Sequence, residues 1–258
     1  MKGGVKIEFG NKPTVCVVTH LPDESIQYHA KRREIIKKCL YSLLDGTGEM
    51  DYLLVIWDNG SCAEVREFLA SLPIDRLILS DNIGKGNALK SVMRMCPPGS
   101  ILACADDDME YYPGWLSASI EILTTYPNVG AVTGYPTRGQ DWPNTKAWAQ
   151  QNAEVKIGKF IPEDWQREHA ASLGMDWGAY KSVTSNQNDF KITYKGISTY
   201  AISHHCQFVC YPERVEKLIA WTDLAMPPFG YFDDAIEAAG MLQLSTVDRF
   251  TKHLGNVL

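Results

Sequence analysis

Ile101-Leu102-Ala103-Cys104-Ala105-Asp106-Asp107-Asp108-Met109 is an apolar run that stops abruptly in three carboxylates. An uninterrupted apolar run of this length fits a strand buried on both faces of a mostly parallel sheet. The three acids repel one another. Alternation along a strand puts Asp106 and Asp108 on one side and Asp107 on the other, so the outer pair can share a hard divalent cation. In open α/β sheets ligands collect beyond the carboxyl ends of strands, which is where these acids stand. The plainer alternative is a solvated turn with an acidic helix cap.

Working outward, four further apolar runs read as strands: Thr14–Thr19, Tyr52–Trp57, Arg76–Leu79 and Val129–Thr133. Helical spacing joins Ile35, Ile36, Cys39, Leu40, Leu43 and Leu44, with Asp45-Gly46 as a stop, and further helices are expected at 63–71, 87–95 and 114–125. This alternation is α/β patterning. From about residue 136 to 195 the periodicity is poor, and the stretch reads as long loops. Its tryptophans, Trp142, Trp148, Trp165 and Trp177, read as anchors or as platforms for a ligand. Beyond it a strand is expected at 206–211, a helix from Pro212 to about Thr222, a loop through Pro227-Pro228-Phe229-Gly230-Tyr231, and a short helix from Phe232 to Gly240.

The chain has 258 residues, 45% hydrophobic and 22% charged, which excludes a disordered or collagen-like chain and fits a globular domain with a sizeable core. No apolar run approaches the roughly 18–20 residues of a membrane span, and Met1 to Phe9 lacks the apolar core of a signal peptide, so a cytoplasmic protein is expected. Seven cysteines, an odd number scattered through strand-like runs, fit that compartment as small buried hydrophobes. The net charge of −6 argues against a polyanion-binding domain, and the basic cluster Lys31, Arg32, Arg33, Lys37 and Lys38 reads as the solvated face of a helix.

Two other segments set polar residues beside the predicted strand ends. Asp58-Asn59-Gly60-Ser61 follows the second strand and Asp81-Asn82-Ile83-Gly84-Lys85-Gly86-Asn87 precedes a helix. Each alone is an ordinary turn or a glycine-rich loop, although Lys85 and the loop backbone can approach an anion. In order and spacing, Thr14–Thr19, Asp58-Asn59-Gly60-Ser61, Asn82 with Gly84-Lys85-Gly86-Asn87, and Asp106-Asp107-Asp108 with Pro113-Gly114-Trp115-Leu116 resemble the glycosyltransferase family 2 members of the GT-A fold.

The resemblance covers about residues 13–135 well and the remainder loosely. It implies one domain over residues 1–258 with a Rossmann-like, mostly parallel central sheet flanked by helices: a nucleotide-sugar half at about 13–135 and a smaller acceptor and catalytic-base half at about 136–258. Donor-binding roles carry to Thr19, Asp58, Asn82, Lys85, Gly86, Asp106 and Asp107, with Asp58 on the nucleotide base. Asp106 and Asp108, joined by His253, would hold Mn²⁺ or Mg²⁺. The late acidic pair carries the base that activates the acceptor hydroxyl, with Asp234 favoured and Asp233 as the alternative.

The implied reaction is metal-dependent, inverting transfer of one sugar from a nucleoside-diphosphate sugar, a UDP-sugar as the family's usual donor. The acceptor is an unassigned hydroxyl of a glycan, a lipid-linked group, a protein or a modified nucleobase. The Gln-x-x-Arg-Trp signature of processive synthases is missing, so a polymerase is not expected. A non-catalytic binding protein of the same fold remains the alternative. A sugar nucleotidyltransferase fits less well, because His20-Leu21-Pro22-Asp23 stands where its glycine-rich loop would be. His204-His205-Cys206 with Cys210 lacks a second zinc-binding half and reads as a strand lining the acceptor side.

Overall fold

The computed structural model of the chain describes residues 12–23, 25, 31–48, 50–219 and 231–255. Strand β1 (Thr14–Thr19) leads through α1 (Arg32–Gly46) to β2 (Leu53–Asn59), α2 (Ala63–Ala70), β3 (Arg76–Ser80), α3 (Lys85–Met95) and β4 (Leu102–Asp106). β1 pairs in parallel with β2 and β4, and β3 extends the sheet beyond β2. The continuous apolar runs have a direct cause. Val15 and Val17 enter one core with Ile36, Leu40 and Leu43 of α1, while Cys16 and Val18 enter the opposite core with Leu89 and Val92 of α3. A strand covered by a helix layer on each face has no polar side to alternate with.

The chain continues through β5 (Met109–Tyr111), α4 (Trp115–Thr125), β6 (Val129–Thr133), α5 (Pro143–Asn152), β7 (Glu154–Gly158), α6 (Glu163–Ser172) and α7 (Trp177–Thr184). Then follow β8 (Asp189–Tyr194), β9 (Ile197–Tyr200), β10 (Gln207–Cys210), α8 (Pro212–Val215), α9 (Tyr231–Ala238), β11 (Leu242–Thr246) and β12 (Thr251–His253). Among the described residues the main sheet has ten strands in the order β3-β2-β1-β4-β10-β6-β11-β9-β8-β7. Only β10, β9 and β7 run against the rest. β12 pairs with β5 in a separate ribbon that sets His253 opposite Met109. Among the described residues no helix is long and apolar enough to cross a membrane.

Several sequence expectations are corrected. The supposed loops of 136–195 fold into α5, β7, α6, α7 and β8. They lack an apolar stripe because α6 buries Gln166, His169, Ala170 and Ser172, α5 buries only Thr145 and Ala149, and β7 is an exposed edge. β3 is also an edge strand, with Leu79 54% exposed, rather than a strand covered on both faces. The helix begun at Pro212 gives way after Val215 to a 3₁₀ turn at Glu216–Leu218. Its expected end at Thr222, the Pro227-to-Gly230 loop and Met1–Phe9 lie outside the described residues.

A seam of buried polar rings crosses the second half. The Tyr135 hydroxyl lies 2.7 Å from His169 Nδ1, and Thr137 Oγ1 lies 2.6 Å from His204 Nε2. Burial lowers the pKa of His169 to about 4 and that of His204 well below the ordinary imidazole range, so both rings are neutral.

Two outcomes follow from this packing. Phe208 of β10 is fully buried against Phe232 of α9, with ring centroids 4.9 Å apart. Phe208→Ala should destabilise the fold by about 3–5 kcal/mol, read as a lower urea midpoint. The depressed histidines set the sign of a pH effect, because the unfolded chain binds protons near pH 6.5 that the folded chain refuses, His169 until about pH 4. Their contribution is present above about pH 6.5 and is lost as the pH falls. His169→Gln should flatten the decline in unfolding free energy between about pH 7 and pH 5.

Candidate functional site

The parallel register brings the carboxyl ends of three strands to one edge: Thr19 of β1 lies beside Asp58 of β2, and Val18 lies beside Asp106 of β4. Thr19 is buried, with its hydroxyl 3.5 Å from the Trp57 carbonyl. Asp58 is completely buried. Its carboxylate accepts the Ser61 amide at 3.1 Å and Arg66 Nε at 2.8 Å, and Arg66 also donates to the Ser80 carbonyl at 3.2 Å. Asp58 thereby ties the turn after β2 to α2 and β3, and all these partners are protein groups.

The loops after β2 and β3 form one ledge. Asn59 Nδ2 donates to Asn82 Oδ1 at 3.0 Å, Asn82 Oδ1 also accepts the Gly84 amide at 3.0 Å, and the Ile83 amide donates to Asn59 Oδ1 at 2.9 Å. Gly60 permits this approach. Its φ is +89°, and a Cβ there would lie 2.9 Å from the Asn82 nitrogen. Gly84 turns the chain into α3, where Lys85 and the buried Gly86 form the first turn.

The acidic run is held by two cations that come from opposite helix layers. Lys85 pairs with Asp106; burial disfavours its charge, but the adjacent carboxylate outweighs that and raises its pKa. Arg32 pairs with Asp107 and, at 3.1 Å, with Asp108. Arg32 corrects the reading of its cluster as a solvated face. Lys37 and Lys38 pair with Glu34 and Glu110 nearer the surface, whereas Arg32, at the start of α1, turns in over the acids.

Asp107 accepts the His20 amide at 3.1 Å and is buried, which pushes its pKa up to about 6 against the pull of Arg32. Asp108 is also buried, yet His253 at 3.5 Å and Arg32 overcome that and hold its carboxyl below the usual carboxylate range. The β5–β12 register brings His253 there, reinforced by the Leu254 amide donating to the Asp108 carbonyl at 2.7 Å.

Asp106, Asp108 and His253 offer two carboxylates and an imidazole, a donor set that suits Mn²⁺. Asp108 Oδ1 is buried without a hydrogen-bond partner and so is open to a cation. Among the described residues no three His, Cys, Asp or Glu side chains already converge on one point, because Arg32 and Lys85 occupy the acids. Zinc at His204, Cys206 and Cys210 finds no support. His204 is committed to Thr137, and among the described residues no three His, Cys, Asp or Glu side chains are grouped to hold a metal there.

A cavity of about 340 Å³ opens beside the acids, between Asp106, Arg138, His205 and His253. The structure separates the late acidic pair. Asp234 is exposed, whereas Asp233 is buried and lies 2.7 Å from His205 Nδ1. The sequence reading missed His20, Arg32 and His205 as parts of the site. His20 and His205 each adjoin a strand end facing the acids, and that position was their only signal. Trp142 is buried and Trp148 packs on Tyr126 and Tyr194, so both are anchors; Trp177 carries Arg167 on its face and Trp165 carries Arg249.

Comparison with known proteins adds to this geometry. The solved structure of GalNAc-T7 with UDP, GalNAc and Mn²⁺ superposes with a TM-score of 0.56 at 12% identity, over 94% of this chain and 43% of that one. The mannosyltransferase PcManGT from Pyrobaculum calidifontis, in complex with GDP-Man and Mn²⁺, is 21% identical over 51% of this chain and 37% of its own, with a TM-score of 0.35. S. aureus TarS 1–349 is 15% identical over 60% of this chain and 43% of its own, with a TM-score of 0.36. This chain thus spans less than half of each of the three. None of the curated proteins compared matches it in sequence. The likeness to GalNAc-T7 establishes a shared fold of helices around a mostly parallel sheet. A family model, glycosyl transferase family 2, matches residues 28–179. Because that match covers more than half of the chain and takes in Arg32, the Asp58–Asn82 ledge and all three aspartates of the acidic run, the chain belongs to glycosyl transferase family 2.

Proposed function

We propose that the protein transfers a single sugar from a nucleoside-diphosphate sugar to an acceptor hydroxyl, with inversion at the anomeric carbon and with Mn²⁺ or Mg²⁺ bound at Asp106, Asp108 and His253. The observation that carries this reading is the buried, unpartnered Oδ1 of Asp108 beside His253, at the carboxyl edge of a parallel sheet. The Mn²⁺ named with two of the neighbours supports the choice of ion. When bound, the cation stabilises the negative charge that develops on the leaving diphosphate.

The chain's own residues divide the remaining work. Lys85 and the amino end of α3 meet the diphosphate, since a lysine and the positive end of a helix suit an anion. The ledge of Asn59, Gly60 and Asn82 flanks the nucleoside, and Asp58 supports it by holding the turn through Ser61 and Arg66. Arg32 fixes Asp107 and Asp108 so that the acids keep their places before the donor arrives. The cavity between Asp106 and His205 takes the acceptor, and its proton leaves toward the His205–Asp233 side. Asp233 is favoured over Asp234 because it contacts His205, which lines that cavity. Sugars of UDP, the nucleotide named with GalNAc-T7, are the first donors to try.

The test is a thermal-shift panel of UDP, GDP, CDP and TDP with their common sugars, with and without Mn²⁺. A ligand at about 100 times its dissociation constant stabilises the fold by about 2.7 kcal/mol. One nucleotide should raise the melting temperature only with Mn²⁺. Asp108→Asn should lose that Mn²⁺-dependent shift and lower transfer by about 10²–10³-fold while remaining folded. Full transfer by a folded Asp108→Asn variant would contradict the reading.

A further inference from the structure

Asp233, the buried member of the late acidic pair, does not line the cavity. Asp233 is 3% exposed, its Oδ1 is buried without a partner, and its Oδ2 lies 2.7 Å from His205 Nδ1. The His205 side chain is 35% exposed and lines the cavity that Asp106 and His253 also border. An acceptor entering this cavity therefore meets the imidazole before the carboxylate. A carboxylate facing Nδ1 fixes that nitrogen as the protonated one and leaves the lone pair on Nε2.

Both members are held in place. The Phe232 ring, one residue before Asp233, packs on Phe208, and Gln243 Nε2 donates to the Asp233 carbonyl at 3.1 Å. On the other side, the Asp106 amide donates to the Cys206 carbonyl at 2.8 Å, which places His205 one residue from the strand contact that positions the acids. The arrangement has the logic of a base oriented by a third group, with the orienting carboxylate buried and the imidazole accessible.

We propose that His205 is the general base for the acceptor hydroxyl and that Asp233 is its positioning residue. The inference rests on the glycosyltransferase reading and replaces a carboxylate base with an imidazole one. In the step, the acceptor O–H bond breaks and its proton passes to His205 Nε2. The acceptor oxygen bonds to the anomeric carbon while the bond from that carbon to the diphosphate oxygen breaks, and the electron pair leaves on the diphosphate. The imidazolium is stabilised by the Asp233 carboxylate and returns its proton to water.

The test uses the full chain with the Mn²⁺ and nucleotide-sugar panel, reading nucleoside diphosphate release with water and with simple glycoside acceptors. His205→Ala and His205→Gln should each lower turnover by about 10²-fold or more, with the dissociation constant of the product nucleoside diphosphate within about twofold of wild type. Added imidazole should restore His205→Ala by about tenfold or more but leave His205→Gln, whose side chain fills the space, unrestored. In ¹⁵N spectra of the imidazole rings, His205 should carry its proton on Nδ1 in the wild type and lose that preference in Asp233→Asn, a change that a merely structural role would not produce.

Wild-type turnover in folded, nucleotide-binding His205 variants would overturn the dyad and leave the glycosyltransferase reading standing. A wild-type His205 protonated on Nε2 alone would likewise overturn the dyad. If the wild type neither binds nor turns over any donor, the glycosyltransferase reading falls and the base assignment falls with it.

Discussion

Adjacent carboxylates at the mouth of a buried strand repel, at about 1–4 kcal/mol per close pair depending on exposure, and the residues around Asp106, Asp107 and Asp108 offset that repulsion. The offsetting groups come from different layers. Arg32 belongs to α1, which packs on one face of the sheet, and Lys85 belongs to α3, which packs on the other. His253 comes from a ribbon near the end of the described chain. The acids are therefore where the two helix layers and the late ribbon meet, and a change at Arg32, Lys85 or His253 is felt at the same carboxylates.

The same principle accounts for Asp58, on the neighbouring strand end. A buried carboxylate needs a charged or strongly donating partner, and Arg66 with the Ser61 amide supplies both. The outcome differs because the partners differ. Both Asp58 oxygens accept hydrogen bonds from Ser61 or Arg66, whereas Asp108 keeps one buried oxygen without a partner. Two aspartates at adjacent strand ends thus have different capacities for a ligand, decided by what surrounds each carboxylate.

The first half of the fold was legible because its inner strands are covered on both faces, so Val15 to Val18 or Leu102 to Ala105 had to be apolar at every position. The acidic run was legible for the complementary reason, since an abrupt change from buried apolar to charged marks a strand end at a ligand edge. Residues 136–195 were not. Their interior contacts are polar and satisfied by specific partners, such as Gln166 Oε1 accepting from the Tyr180 hydroxyl and the Arg138 amide, and Asp189 accepting Arg138 Nε at 2.6 Å. Contacts of that kind leave no periodic signature, because each depends on a partner far away in sequence. Arg32 escaped notice similarly: helical spacing places it on a polar face, and only tertiary structure shows that the face lies over carboxylates.

The four histidines around the cavity show how partners divide one residue type into separate capacities. His169 and His204 face hydroxyls, from Tyr135 and Thr137, and burial keeps both neutral. A neutral ring adds no positive charge to compete for the acids, so this wall leaves their negative charge to Arg32, Lys85 and any entering cation. His253 faces Asp108 and belongs to the acidic side. His205 faces a carboxylate that has no other hydrogen bond from a side chain among the described residues, and its ring opens onto the cavity. A ring that faces an acid can gain a proton without losing its partner and has the resulting charge stabilised, and one that exchanges that proton with a ligand must also be exposed. His253, with its side chain 15% exposed, meets the first condition, while His205, at 35%, meets both.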